Sequence, residues 1–400
     1  MRGSGKTCNK KIDFKMKIGI LTLIGEYNYG NLLQSYAMQT ILERLGHQVV
    51  VLNRRCESPD LKSYCLRVLS LLKSIVLRFF LRREDILIVN PFVENYAYDI
   101  KNRINKFHLI RFAKQYTNRS IPLRSTNDLT KYIKREAFDA YVVGSDQVWR
   151  EEYTFSIHEM FLSFLSNESK AKRIAYAASF GVNENYITEE KMPQCVELLK
   201  KFAAVSVREK SAVKICKDYF SVEAKHVLDP TMLLQVEDYI KIFESNNTPK
   251  SIGNLLVYVL DDNDEIKQAV ELFSKQNKLT PFKVNEKVKI QSNSYAYKLP
   301  SLEAWLRGFY DAKCIITDSF HACVFSILFK KPFICVGNKN RGNTRFNSLL
   351  GVFGLENRMV ADMSMINEKM SMPIDWISVN SILEEKKSES MFFLENTLNN

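Results

Sequence analysis

The stretch Lys313-Cys-Ile-Ile-Thr-Asp-Ser-Phe-His-Ala-Cys-Val-Phe-Ser-Ile-Leu-Phe-Lys-Lys331 constrains the fold more than any other. Cys314 to Thr317 is a short apolar, β-branched run, the pattern of a buried strand. Asp318 and Ser319 are N-cap residue types, and an apolar segment of helical length opens at Phe320. His321 therefore falls in the first turn of a helix at the carboxyl end of a parallel strand. Open α/β sheets bind ligands at that edge, and unpaired helix N–H groups attract anions there. A histidine so placed can protonate an anionic substrate; the plainer alternative is that it caps or packs against the helix start.

The same alternation recurs along the chain. Lys17–Ile24 reads as a buried strand, Gly25–Asn31 as a polar loop and about Leu32–Leu45 as a helix ended by Gly46, with a second strand at Gln48–Asn53. This is a βαβ opening of Rossmann type, but without G-x-G-x-x-G a dinucleotide is not expected. Strands follow at Ala140–Val143, Arg173–Ser179 and Ala203–Glu209, and the loop after the first of them carries Ser145, Asp146, Gln147 and Trp149. Arg208 stands at a strand exit, a place suited to an anion clamp. Pro230 closes this half. The second half restarts with strand Leu255–Leu260, a helix over about 263–277, a weaker strand near 282–290 and a helix over 301–312. After His321 come strand Pro332–Val336, a polar loop 337–343 and a helix opening at Thr344.

Four hundred residues exceed one ordinary core, so two domains are expected. We divide the chain into a disordered leader 1–15 (with Met16 a candidate start), an N-terminal Rossmann-like domain 16–235, a C-terminal Rossmann-like domain 236–375 and a tail 376–400, helical at first and crossing back to the first domain. Gly3–Thr7 looks like the end of a P-loop but lacks its first glycine and a preceding strand.

Residues 60–120 differ in character and read as a helical insertion. Leu66–Arg83 is an apolar helix studded with cations, long enough to form a hairpin with 96–116. Such a segment packs on its parent domain with snorkelling Arg and Lys, or lies on an anionic membrane. The first reading is the simpler.

The formal net charge of +12 implies attraction to anions. No basic stripe with interleaved aromatics and no nucleic-acid motif accompanies it, so small anionic substrates or an anionic lipid surface fit better than nucleic acid. The eight cysteines are scattered without C-x-x-C or paired histidines, a reduced, cytosolic usage that provides neither a disulfide frame nor a zinc site. No signal peptide and no apolar run of transmembrane length is visible. His47, His108, His158 and His226 have no matching partners and read as structural or solvated.

Six segments in matching order resemble the polysaccharide pyruvyl transferase family: Asn28–Gln34, Gly144–Trp149, Arg173–Gly181, Val207–Ser211, Asp229–Thr231 and Thr317–His321. The likeness spans about residues 17 to 360; the ordered combination is specific although no single motif is. The resemblance implies an α/β fold of two Rossmann-like domains facing a central cleft (GT-B-like). It implies transfer of the enolpyruvyl unit of phosphoenolpyruvate onto two hydroxyls of a sugar in a bacterial surface glycan or its lipid-linked precursor, giving a pyruvate ketal and phosphate. Phosphoenolpyruvate is then a substrate; no cofactor and no metal are expected. The implied place is the cytoplasm, with peripheral contact at the inner membrane face left open.

The residue assignments follow from that chemistry. A carboxylate and a phosphate need cationic forks and N–H donors. Arg208 is one clamp, and the helix start at Ser319, Phe320 and His321 is an N–H nest. His321 is the candidate general acid at the methylene carbon; a bound dianion at close range should raise its pKa more than the helix N-terminus lowers it. Many family members carry Arg-Leu-His where this chain has Ser319-Phe-His321, so the missing cation must come from elsewhere, and Arg345 or Arg341 is the substitute. Asp146 either accepts the sugar hydroxyl's proton or caps and orients its loop. Asn28, Asn31 and Gln34, with Ser145 and Gln147, either bind substrate or perform turn chemistry. Trp149 reads as core more than as a sugar platform. Two other functions remain in view: a GT-B glycosyltransferase using a nucleotide sugar, and a non-catalytic membrane-associated partner of a glycan assembly complex.

Overall fold

The computed structural model describes residues 15–23, 28–55, 61–83, 86, 88, 104–105, 107–286, 288–289, 297–337 and 343–400. The leader up to residue 14, residues 25–27 of the Gly25–Asn31 loop, the 96–103 part of the expected hairpin and Arg341 lie outside these residues.

Strands β1 (Lys17–Leu21) and β2 (Gln48–Val51) flank a helix over Tyr29–Arg44. After β3 (Ile104–Asn105), which belongs to a small separate sheet, come β4 (Ala140–Asp146), β5 (Lys172–Ala178), β6 (Ala204–Val207) and β7 (Lys225–His226). They form a parallel sheet in the order β2-β1-β4-β5-β6-β7. The second half contributes β8 (Leu255–Tyr258), β9 (Pro281–Phe282), β10 (Val288–Lys289), β11 (Tyr297–Lys298), β12 (Cys314–Thr317), β13 (Phe333–Val336) and β14 (Met359–Val360). β10 and β11 join β3; the others form a second parallel sheet, β14-β13-β12-β8-β9. The winding direction reverses between β1 and β4 in the first sheet and between β8 and β12 in the second. Crevices at such reversals are where open α/β sheets bind ligands.

Two boundaries differ from expectation for local reasons. The first helix begins at Tyr29, not Leu32, because the side chain of Asn28 accepts from the backbone N–H groups of Gly30 and Asn31 and so acts as its N-cap. β4 runs on through Asp146 instead of ending at Val143, because its ladder to β5 continues to the pair Asp146–Ala178.

A continuous apolar core spans both halves, from Ile18, Leu32 and Val142 to Leu256, Trp305 and Phe325. Across the boundary Tyr29 stacks on Trp305 with centroids 5.8 Å apart, and its hydroxyl donates to the Pro300 carbonyl at 2.8 Å. Such an aromatic pair contributes about 0.5–1.5 kcal/mol beyond its burial. The final helix, Trp376–Asn399, returns to the first sheet: Leu228 N donates to Ser390 Oγ at 3.0 Å, and Lys172 Nζ to the Leu398 carbonyl at 2.6 Å. The two sheets are thus tied by packing and by the chain's own end.

The segment after residue 60 folds as an α-helix over Leu61–Ile75, continued by a π-helical turn over Val76–Phe80, and none of its residues is buried. One face of it, with Tyr64, Val68, Leu71 and Ile75, is half-buried, and the other is exposed. The helix over Phe107–Tyr116 does pack: Phe112 is fully buried, and Arg111 Nη2 donates to the buried Glu303 at 2.7 Å. Among the described residues no helix is long and apolar enough to cross a membrane.

Candidate active site

The two reversal points meet at Gly30 and His321. His321 lies in the first turn of the helix over Phe320–Leu328. Its N-cap, Ser319, makes no side-chain cap bond, while the carboxylate of Asp318 turns away to accept from Leu260 N (2.7 Å) and Asp261 N (2.9 Å). Asp318 thereby ties the end of β12 to the residues following β8, and Ser319 gives the first turn no side-chain cap. Opposite stands the first turn of the Tyr29–Arg44 helix. A Cβ built on Gly30 would run into the imidazole of His321, so only glycine permits this approach. Gly30→Ala is expected to displace the imidazole, lowering turnover and stability, the latter by about 1–3 kcal/mol. Steady-state kinetics and a thermal melt check this together.

Around that contact lies a buried cluster of alternating charge. Arg208, at the exit of β6, donates from Nη1 to Asp229 Oδ2 at 2.8 Å. Its Nη2 lies 3.6 Å from Asp146 Oδ1 and its Nε 3.8 Å from Glu209 Oε1. The ring of Phe320 sits 4.5 Å from the guanidinium carbon and meets the His321 ring edge to face. Phe320 thus reaches across to the first domain and holds Arg208 in place. His321 Nε2 is 3.7 Å from Asp229 Oδ2. Asp229 is the hub. It also accepts from Ser145 Oγ (2.9 Å), Thr231 N (3.0 Å) and Thr231 Oγ1 (2.7 Å). Sequence reading gave Asp229 and Glu209 no role, although both stand inside the segments Asp229–Thr231 and Val207–Ser211.

The remaining candidates fall into two groups. Asn31 donates from Nδ2 to Asp146 Oδ2 at 2.9 Å, and Gln147 N donates to Asp146 Oδ1 at 2.9 Å. Asp146 itself holds a left-handed φ of 81°, unusual for a residue with a Cβ and the kind of strain that gathers at functional sites. Asn28, Asn31, Asp146 and Gln147, with Arg54, Tyr153 and Phe155, line a cavity of about 320 Å³ at the first reversal point. Gln34 and Ser145 are fully buried behind it: Gln34 Nε2 donates to Thr22 Oγ1, which donates in turn to the Ser145 carbonyl. Trp149 is core, stacked on Phe161 with centroids 5.3 Å apart. Arg345, in the first turn of the helix over Thr344–Phe353, interacts electrostatically with Arg208, Glu209 and Asp146.

Burial opposes every charge here, and the partners decide the outcome. At Asp229 burial pushes the carboxyl up, but His321, Arg208 and Thr231 outweigh it and hold the pKa at about 2. Asp146 is likewise lowered, since Arg208, His321 and Asn31 overcome burial. Glu209 goes the other way: burial wins over Arg208 and the Ser179 hydroxyl. At His321 burial also wins, so without a bound anion the imidazole sits below its ordinary pKa despite Asp229.

These directions fix the response to acid. Asp229 stabilises the fold fully above its unfolded pKa of about 3.9, and this contribution is lost as pH falls toward 2. The unfolded chain protonates His321 first, near pH 6.5, so stability already declines below that value; Asp146 acts in the same sense and Glu209 opposes them. The melting temperature is expected to fall from about pH 6.5 downward, more steeply below about 4. A rise on acidification would contradict these assignments.

Four buried donor atoms in the cluster have no hydrogen-bond partner among the described residues: Arg208 Nε and Nη2, His321 Nε2 and Arg345 Nε. Unsatisfied buried donors cost about 1–3 kcal/mol each, so the site is built to receive acceptors. No group of three or more His, Cys, Asp or Glu placed to hold a metal occurs among the described residues.

Similarity to known proteins agrees with this architecture. UDP-GlcNAc 2-epimerase from Neisseria meningitidis superposes with a TM-score of 0.50 at 10% identity, covering 96% of this chain and 99% of that one. The enzyme of the same name from Methanocaldococcus jannaschii gives 0.50 at 11% identity, covering 92% and 99%. At such identities the likeness concerns the fold alone, two Rossmann-like domains in a GT-B-like arrangement. No curated protein matches the chain. The family model described as polysaccharide pyruvyl transferase matches residues 28–340, which include Asn28, Asp146, Arg208, Asp229 and His321, and the chain therefore belongs to the polysaccharide pyruvyl transferase family of transferases.

Proposed function

We propose that the protein transfers the enolpyruvyl group of phosphoenolpyruvate onto two hydroxyls of one sugar in a surface glycan or its lipid-linked precursor, closing a pyruvate ketal and releasing phosphate. The observation that carries this reading is the set of nitrogen atoms on Arg208, Arg345 and His321 that make no hydrogen bond although gathered in one buried cluster. A small donor with a carboxylate and a phosphate satisfies them together, and the helix start after Ser319, whose side chain makes no cap bond, adds N–H groups for an anion.

The steps balance. His321 gives its proton to the methylene carbon, and the C2 cation so formed is attacked by the first sugar hydroxyl. The C2–O bond to phosphate then breaks, and the second hydroxyl closes the ring. Of the two hydroxyl protons, one leaves with the phosphate and the other restores His321. The free imidazole is held neutral by burial, so the dianionic donor must raise its pKa on binding. Asp146, ionised and in the cavity wall, accepts the hydroxyl proton and relays it. The cavity beside it takes the acceptor sugar, with Asn28, Asn31 and Gln147 as hydrogen-bonding groups and Tyr153 and Phe155 as apolar faces.

Thermal shift with separate ligands tests the donor. Phosphoenolpyruvate at 100 times its Kd is expected to stabilise the protein by about 2.7 kcal/mol, with nucleotide sugars giving no shift. Stabilisation by a nucleotide sugar alone would replace this reading with glycosyl transfer.

A further inference from the structure

The helix over Leu61–Ile75 and its π-helical continuation present an apolar row to solvent. Leu61 is 80% exposed, Leu69 60%, Leu72 53%, Val76 49%, Phe79 66% and Phe80 78%. On a helical wheel Leu61, Leu69, Leu72 and Val76 share one arc, and Lys62 and Lys73 border it. Leaving this much contiguous apolar surface in water is unfavourable, and such patches mark interaction sites.

Charge selects the occupant. From residue 61 to 83 the chain carries Lys62, Arg67, Lys73, Arg78, Arg82 and Arg83 and no aspartate or glutamate. A second copy of this chain would bring two such cationic segments together, which is repulsive. An anionic lipid surface offers what the segment lacks: apolar chains for the leucines and phenylalanines, and negative headgroups for the lysines beside them.

We propose that this segment is an interfacial anchor, lying in the headgroup layer of an anionic bilayer with Leu61, Leu69, Leu72, Val76 and the Phe79–Phe80 pair inserted. It holds the enzyme at a membrane without crossing it. The inference stands apart from the donor chemistry, since it rests on exposed side chains of one helix and not on the buried cluster.

Vesicle flotation of the full-length protein tests it. Binding is expected to vesicles of phosphatidylglycerol with phosphatidylcholine, to weaken by about tenfold or more in high salt, and to be absent with phosphatidylcholine alone. The variant Leu69→Glu with Leu72→Glu is expected to lose vesicle binding by at least about tenfold, while its melting temperature stays unchanged, because neither side chain is buried. In a separate variant, Leu72→Trp, a blue shift of tryptophan emission on adding anionic vesicles would place the helix in the lipid. Failure of the native protein to float with anionic vesicles, or equal flotation of the double-glutamate variant, would overturn the proposal. So would self-association that the double variant abolishes, which would assign the face to a second copy.

Discussion

Replacing His321 with alanine is expected to lower the turnover of pyruvyl transfer by about 10²–10⁴-fold, the contribution of one well-placed general acid. The stabilisation given by phosphoenolpyruvate should persist, because Arg208, Arg345 and the helix start remain. The separation of binding from turnover is the informative part. His321 is buried against Gly30 and Asp229, so its removal also leaves a small cavity, and a modest drop in melting temperature is expected. His321→Gln fills most of that space but cannot act as an acid, and should lose turnover to the same degree. If the glutamine variant kept turnover within a few fold, the imidazole would be a packing residue. In the native enzyme kcat/KM should fall as pH rises, since donor must meet an imidazole that burial keeps mostly neutral.

Arg208→Ala is expected to be as damaging, by two routes that must be separated. Arg208 is the common partner of Asp229, Asp146 and Glu209, all buried. Removing it strands three carboxylates, and breaking a buried pair costs about 3–5 kcal/mol. Loss of donor binding in that variant could therefore reflect damage to the site as a whole. Arg208→Lys separates the routes: a lysine ammonium retains the charge facing Asp229 but lacks the Nε–Nη2 edge, which faces Asp146 and Glu209 without a hydrogen bond. The lysine variant should keep most of the stability and still bind phosphoenolpyruvate at least about tenfold more weakly. Donor affinity unchanged in a folded Arg208→Lys would show that Arg208 serves only to neutralise its carboxylates.

What the sequence revealed of this site and what it withheld follow from range. His321 was legible because a strand, a cap-type pair and a helix start lie within nine residues of one another. Arg208 was legible as a strand-end cation. Its carboxylate cage was not: Asp146 and Asp229 come from other strand ends, and no spacing rule joins them before the sheet order is known. Asn28 looked like a loop residue because the cap that starts the helix early is a local bond that hydrophobic periodicity does not register. Gly30 looked like a turn former, yet its function is to admit a side chain from the other domain. Gln34 and Ser145 show the converse, polar residues near the site that are spent on holding Thr22 and Asp229. The composition of the segment at 61–80 fits snorkelling as well as exposure, and only the fold shows which side chains, Leu61, Leu69, Leu72, Phe79 and Phe80 among them, stand in solvent.

The most direct test of the account follows the proton. Reaction of the native enzyme with phosphoenolpyruvate and an acceptor sugar in D2O, with the product read by mass spectrometry and NMR, reports what happens at the methylene carbon. Transfer through protonation by His321 predicts a ketal whose methyl group carries one deuterium, with one phosphate released per ketal formed. A product that retains the vinyl group, or a sugar extended by a glycosyl unit from a nucleotide donor, would contradict it.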